Sequence, residues 1–237
     1  MKIKDSSHYG KDKDSLKFWK LNRNKLVDLY KSERKFFPNK VRKCKSFLDV
    51  GCAAGGFCKI IRSITKKKIN YTGIDVSNNL VSIARKKYSR HTFKVYNGKI
   101  FPSKIKNYDL IFSFGTLHHS NYYLKIIKQM IRRAKKYVIF DLRFTYEKTL
   151  INRKKSFQKI KFGNNFVRKN HIPYNILNFY DFINDILALT SKKYGIEIYG
   201  YYHKPHDSVV TSHNKNIIMA AILINKLNKF DFKLDIN

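Results

Sequence analysis

Apolar residues recur along the chain in blocks of two kinds: short continuous or alternating runs, and longer stretches with helical spacing. Residues 14–37 place Leu16, Trp19, Leu26, Leu29 and Tyr30 near one helical face, and Pro38 and Asn39 then interrupt the pattern. Ser46–Val50 reads as a short buried strand, with a helix following over Gly56–Ile64. Tyr71–Asp75 reads as a second strand, and Asn78–Tyr88 as a helix that Ser77 can cap. Thr92–Tyr96 alternates like a strand. Tyr108–Phe114 is continuously apolar, as a central parallel strand covered on both faces should be. A helix over Tyr122–Arg133 and a strand over Lys136–Asp141 follow. After a basic stretch come a helix over Leu177–Lys192 and two strand-like runs, Ile196–His203 and Asn216–Ile224, with no helix between them. Strands that alternate with helices form βαβ units on a parallel sheet, and the terminal pair suggests an antiparallel hairpin. The expected fold is therefore α/β, a doubly wound, Rossmann-like seven-stranded sheet. It ends in a C-terminal antiparallel hairpin and carries an N-terminal helical extension over residues 1–44, with the main domain over 45–237.

Composition changes this picture little, except for charge. The 237 residues are 43% hydrophobic, enough for one sizeable domain. The longest apolar run, Ile217–Ile224, is far shorter than the ~20 residues of a membrane helix. The first residues are polar and lack the apolar core of a signal peptide, so a soluble, cytoplasmic protein without a membrane span is expected. Cys44, Cys52 and Cys58 form no CxxC pair, and His171, His203, His206 and His213 are scattered over predicted loops, so no metal site is expected. The net charge of +34 suits a polyanionic partner such as nucleic acid. Of the 50 basic residues, however, 39 are lysine and only 11 arginine, and Ile, Asn, Phe and Tyr are abundant. These residues share A/T-rich codons, and nucleic-acid sites favour arginine for bidentate contacts. Genomic bias accounts for the charge as well as binding does.

The chemistry begins at Phe47–Phe57, FLDVGCAAGGF. An apolar strand ends on an acid, and a turn of small residues then opens a helix. Such a turn lets a ligand lie close to the backbone beside amides at a helix N-terminus. The second strand ends on Asp75, where a carboxylate can accept hydrogen bonds from ribose hydroxyls. A pyrophosphate would be repelled by Asp49, whereas an ammonium and a sulfonium would be favoured. With YTGIDVS, YDLIFSFGTLHH and the terminal hairpin, this stretch resembles the class I S-adenosylmethionine-dependent methyltransferases over roughly residues 45 to 226. The flavour is that of members acting on small molecules or saccharides. The resemblance implies S-adenosyl-L-methionine as cofactor. It places Asp49, Gly51, Cys52, Ala53 and Gly55 around its methionine half, Asp75 and Val76 at the ribose, Asn97 near the adenine, and Ser113 and Gly115 beneath the sulfonium. Ala53 departs from the more common glycine.

Methyl transfer needs chiefly alignment of nucleophile and methyl carbon, with a base where the nucleophile is a hydroxyl. His118 and His119 follow the fourth strand and are candidate bases, or else shape the loop. Arg143 ends the fifth strand with Asp141. It can clamp an anionic group of the acceptor or pair with Asp141. Residues 142–177 interleave nine basic residues with aromatics and form a candidate acceptor cover, and Gln158, Tyr174 and Asn178 are candidate polar contacts. The expected activity is methyl transfer, at oxygen, to a small or saccharide-like acceptor with anionic character. An RNA methyltransferase is the rival enzyme, although Ser113-Phe114-Gly115-Thr116 stands where a base-methylating tetrapeptide would be. A cofactor-binding subunit or basic scaffold is the non-enzymatic alternative.

Overall fold

In the computed structural model the described residues are 23–151, 154–162, 165–213 and 217–237. The early part of the expected first helix, including Trp19, lies outside them. Five helices follow in chain order: α1 (Lys31–Arg42), α2 (Phe57–Ile64), α3 (Asn78–Lys87), α4 (Tyr123–Arg133) and α5 (Phe179–Thr190). The strands are β1 (Ser46–Val50), β2 (Asn70–Asp75), β3 (Thr92–Val95), β4 (Tyr108–Ser113), β5 (Ala134–Thr145), β6 (Ser156–Phe162), β7 (Asn165–Pro173), β8 (Leu177–Asn178), β9 (Gly195–His203), β10 (Val209–Thr211), β11 (Ile217–Asn225) and β12 (Asp231–Ile236).

The main sheet has nine strands in the order β12-β9-β11-β5-β4-β1-β2-β3, with β8 beside the end of β5. From β3 to β5 all pairs are parallel, and β11 runs antiparallel to both β5 and β9. The seven expected strands are present, and β8 and β12 extend them. Period-two alternation in β1 explains the layering. Leu48 and Val50 pack into one core with α4 and α5, while Phe47 joins α1, α2 and α3 on the opposite face. The winding reverses at β1, which sits between β2 and β4, and the turns after β1 and β4 meet there.

The N-terminal expectation needs correction. The helix does not stop at Pro38; Pro38 lies inside α1, and the residues before it form a 3-10 turn over Leu26–Asp28. Glu33 caps α1 by accepting from the Tyr30 amide at 2.9 Å. Phe37 makes edge contacts with Phe57, Phe112 and Phe114 at 5.6, 4.8 and 5.3 Å. Burial of Phe36, Phe37 and Val41 offsets the roughly 3 kcal/mol that an internal proline costs. The helix therefore belongs to the core of the domain.

The basic stretch after β5 is also more ordered than a loop. β6, β7 and β10 make a separate three-stranded antiparallel sheet in the order β10-β6-β7. Several lysines have a structural place: Lys35 lies over Tyr199 at 4.7 Å, Lys40 over Tyr137 at 5.0 Å and Lys99 over Tyr122 at 4.3 Å. Lys226 donates to the carbonyls of Ile131 and Ala134, closing the C-terminal end of α4. Among the described residues no helix is long and apolar enough to cross a membrane.

Candidate active site

The carboxyl ends of β1, β2, β4, β5 and β9 converge on one cavity of about 550 Å³, within the range of small-molecule sites. Its first half is built by turns. After β1 the chain turns at Gly51, at φ +86°, whose amide donates to the Ile74 carbonyl at 2.8 Å. A Cβ there would overlap the Thr116 side chain, so the β1 and β4 turns touch through an absent side chain. Ala53 also takes a left-handed conformation, at φ +45°. Its amide donates to Asp75 Oδ2 at 2.9 Å, while Asp75 Oδ1 accepts from the Ser77 amide at 2.9 Å. The carboxylate at the end of β2 thus pins the β1 turn and the start of α3, with lone pairs left for a ligand. Burial pushes its pKa up, against the pull of these amides.

Gly51, Cys52, Ala53, Asp75, Val76, Asn97 and Gly115 border the cavity, as do His118, His119, Arg143, Gln158 and Tyr174. Asn97 is partly committed, since its side-chain oxygen accepts from the amides of Lys99 and Ile100. The Cys52 thiol is buried, which holds its pKa well above the usual range. Three expected residues stand behind the cavity wall. Asp49 points into the core, where the Tyr71 hydroxyl donates to it, and burial raises its pKa to about 7. Gly55, at φ +80°, packs against Phe93 and Tyr88. Ser113 donates to the Val50 carbonyl at 2.8 Å and ties β4 to β1. Asn178 does not border the cavity; it caps α5 by accepting from the Asp181 amide at 3.0 Å.

The second half of the cavity is polar. The rings of His118 and His119 lie 3.9 Å apart, beside Tyr174. His119 Nδ1 faces the Pro173 carbonyl at 2.6 Å, so Nδ1 carries the proton and Nε2 the lone pair. Burial lowers the His119 pKa to about 4 and that of His118 well below the usual value, keeping both rings neutral at pH 7. Arg143 and Asp141 are buried together, Nη1 to Oδ2 at 2.6 Å, and Asp141 Oδ1 accepts from the Gly115 amide at 2.6 Å. The expected ion pair of Arg143 with Asp141 is present, and Arg143 also borders the cavity.

Residues not anticipated from the sequence complete the wall. Arg23 pairs with the buried Glu33 at 2.8 Å, and its guanidinium lies close to Gly115. Arg23 and Arg143 flank the Tyr30 ring at 5.0 and 5.6 Å. His203, His206, Ser208 and Met219 also border the cavity; His203 ends β9, and His206 is exposed on the loop that follows it. A topological signal for this existed. Two antiparallel steps make β9 parallel to β5, so a strand ending on His203 delivers it to the same edge as Arg143. His213 pairs with Glu147 at 2.8 Å, and the His171 side chain is outside the described set.

A parallel sheet with a glycine turn at its switch point and an acid ending the second strand defines a nucleoside-binding Rossmann-like domain. The residues fit S-adenosylmethionine: a close backbone approach at Gly51 beside Ala53, the Asp75 carboxylate, and the Arg23 guanidinium to meet a carboxylate. A family model described as a methyltransferase domain matches residues 42–179, more than half of the chain. The chain belongs to this methyltransferase-domain family, with the fold of the class I S-adenosylmethionine-dependent enzymes. Solved structures agree on the fold. The N-terminal domain of EvdMO1, crystallised in the presence of SAH and D-fucose, superposes with a TM-score of 0.56 at 9% identity, covering 81% of this chain and 80% of that one. An S-adenosylmethionine-dependent methyltransferase from Clostridium acetobutylicum gives 0.53 at 15% identity over 88% and 95%. One from Methanosarcina mazei gives 0.54 at 16% over 83% and 98%.

Proposed function

We propose that the protein transfers the methyl group of S-adenosylmethionine to an oxygen of a small, saccharide-like acceptor. The observation that carries this reading is the continuity of one cavity from the glycine turn to the polar wall of His118, His119, Arg143 and Tyr174. Bound S-adenosylmethionine supplies a methyl carbon activated by a sulfonium. In the proposed arrangement Asp75 holds the ribose, Val76 and Asn97 line the adenine end, and Gly51, Cys52, Ala53 and Gly115 border the methionine end. Arg23 meets the methionine carboxylate. Asp49, Gly55 and Ser113 support these turns from behind.

His119 is the proposed acceptor of the hydroxyl proton, because its Nδ1–H is held and Nε2 is the basic atom. A base with a pKa of about 4 is weak, so its main contribution is to orient the hydroxyl, with alignment supplying most of the rate. The sheet of β6, β7 and β10 acts as the acceptor cover; Gln158 and Lys159 on β6 and Val209 on β10 reach the cavity. One neighbour of the same fold was crystallised in the presence of SAH and D-fucose, the kind of pairing proposed here.

The test follows a labelled methyl group from S-adenosylmethionine into a cell extract separated into RNA, protein, glycan and low-mass fractions. Label in low-mass or glycan material supports the reading. Label removed by nuclease replaces it with RNA methylation and makes the +34 charge a binding surface.

A further inference from the structure

Arg143 has more hydrogen-bonding capacity than the protein uses. Its side chain is only 3% exposed. Nε donates to the Tyr174 hydroxyl at 3.2 Å, and Nη1 donates to Asp141 at 2.6 Å and to the Leu142 carbonyl at 3.2 Å. Those bonds occupy three of the five N–H groups of a guanidinium. Among the described residues Nη2 has no hydrogen-bond partner, and Arg143 borders the cavity. Both Nη2 N–H groups are therefore available to an acceptor group inside the cavity.

Further donors lie nearby. The Tyr174 hydroxyl accepts from Arg143 and keeps its own proton to give. The Ser208 amide donates to His206 Nδ1 at 3.1 Å, which places the ring proton on Nε2. Among the described residues the carboxylate in contact with Arg143, that of Asp141, is spent on that guanidinium and on the Gly115 amide. Arg23 and Arg143 face Asp141 and Glu33 across Tyr30, and burial raises the Glu33 pKa to about 7. A planar guanidinium edge beside a hydroxyl donor matches an oxyanion better than a neutral hydroxyl.

We propose that the methyl acceptor is an anion whose carboxylate or phosphate sits on Arg143 Nη2 and the Tyr174 hydroxyl. This rests on the methyl-transfer reading of the cavity and adds the substrate class. Arg143 is then a substrate-binding residue that leaves the cofactor half untouched.

The experiment divides a small-molecule extract of source cells on an anion exchanger into bound and flow-through fractions. Each fraction is incubated with the full-length protein and methyl-labelled S-adenosylmethionine, and S-adenosylhomocysteine binding is measured separately. The expected result is labelled product from the bound fraction only. Phosphatase treatment that abolishes the activity identifies a phosphate; resistance identifies a carboxylate. Arg143→Lys keeps a cation opposite Asp141 but lacks the Nη2 edge. It should bind S-adenosylhomocysteine as the parent does and methylate the bound fraction at least tenfold more slowly. Acceptor activity confined to the flow-through, or an Arg143→Lys rate equal to the parent's, overturns the anionic acceptor while sparing methyl transfer. Label in neither fraction, with S-adenosylhomocysteine bound, overturns the small-molecule reading and this inference with it.

Discussion

Two methyl-sized changes in the turn after β1 should have opposite effects on stability. Gly51 and Ala53 both have left-handed backbone, at φ +86° and +45°, but only Ala53 carries a Cβ. For an L-residue that conformation costs roughly 1–2 kcal/mol. Ala53→Gly removes the strain and adds roughly 0.5–1 kcal/mol of unfolded-state entropy, for a net gain of about 0.5–1 kcal/mol. The bond from the residue 53 amide to Asp75 is a backbone donation and survives the change. Gly51→Ala adds the same strain and drives a methyl into Thr116. Overpacking of that kind typically costs a further 1–3 kcal/mol, and the unfolded-state term of roughly 0.5–1 kcal/mol now acts in favour, so a loss of roughly 1–4 kcal/mol is expected. Urea unfolding of the three proteins, with m-values checked for constancy, measures both. Thr116→Ala in the Gly51→Ala background should restore part of the loss, because it removes the atoms in the way. If Ala53→Gly is destabilising by more than about 1 kcal/mol, or Gly51→Ala is neutral, the turn does not have the geometry described.

The other predictions concern buried charge. Tyr71→Phe removes the hydroxyl that donates to Asp49 and should cost roughly 1.5–3 kcal/mol in urea unfolding at pH 8; a change within 0.5 kcal/mol would show that the pair contributes nothing. Arg23→Met strands Glu33 in the core and should destabilise by roughly 3–5 kcal/mol, with the further change Glu33→Gln recovering part of it; additive losses would contradict the pairing. His119 has a folded pKa near 4, below its unfolded value of about 6.5, so the unfolded chain binds more protons between these values. Stability from this group is full above about pH 6.5 and is lost as pH falls towards 4. The raised pKa values of Asp49 and Glu33 act in the opposite sense, losing stability as pH rises towards 7, so the difference between variants is the clean measurement. Lowering pH from 7.5 to 5 should improve His119→Gln relative to the parent by about 2 kcal/mol, and an unchanged difference would refute the low pKa.

The parts of the fold visible in the sequence are those where one local pattern dominates. Tyr108–Ser113 is apolar because both of its faces are covered, and Ser77 precedes α3 because its side chain accepts from the Leu80 amide. Pro38 misled because its backbone penalty is local, while its compensation comes from Phe112 and Phe114 on a distant strand. β6 and β7 were hidden by lysines and arginines spread through their alternation, so charge masked the period. β12 is a mostly exposed edge strand with only Phe232 and Ile236 packed on the core, too few to mark it. The same contrast holds in the site. Asp75 and the glycine turn are adjacent through strand pairing, which sequence order implies. The meeting of Arg23, Tyr30 and Arg143 depends on how the N-terminal segment crosses the sheet edge, which no local pattern encodes.

The central claim is that the cavity at the switch point holds S-adenosylmethionine with Asp75 on its ribose. Calorimetric titration of the folded protein with S-adenosylmethionine, beside Asp75→Asn, tests it most directly. One molecule should bind per chain. Affinity in the variant should weaken by about 1.5–3 kcal/mol, the worth of hydrogen bonds to a charged group, with its fold intact by circular dichroism. No heat of binding in the parent, or equal affinity in a folded Asp75→Asn variant, would contradict it.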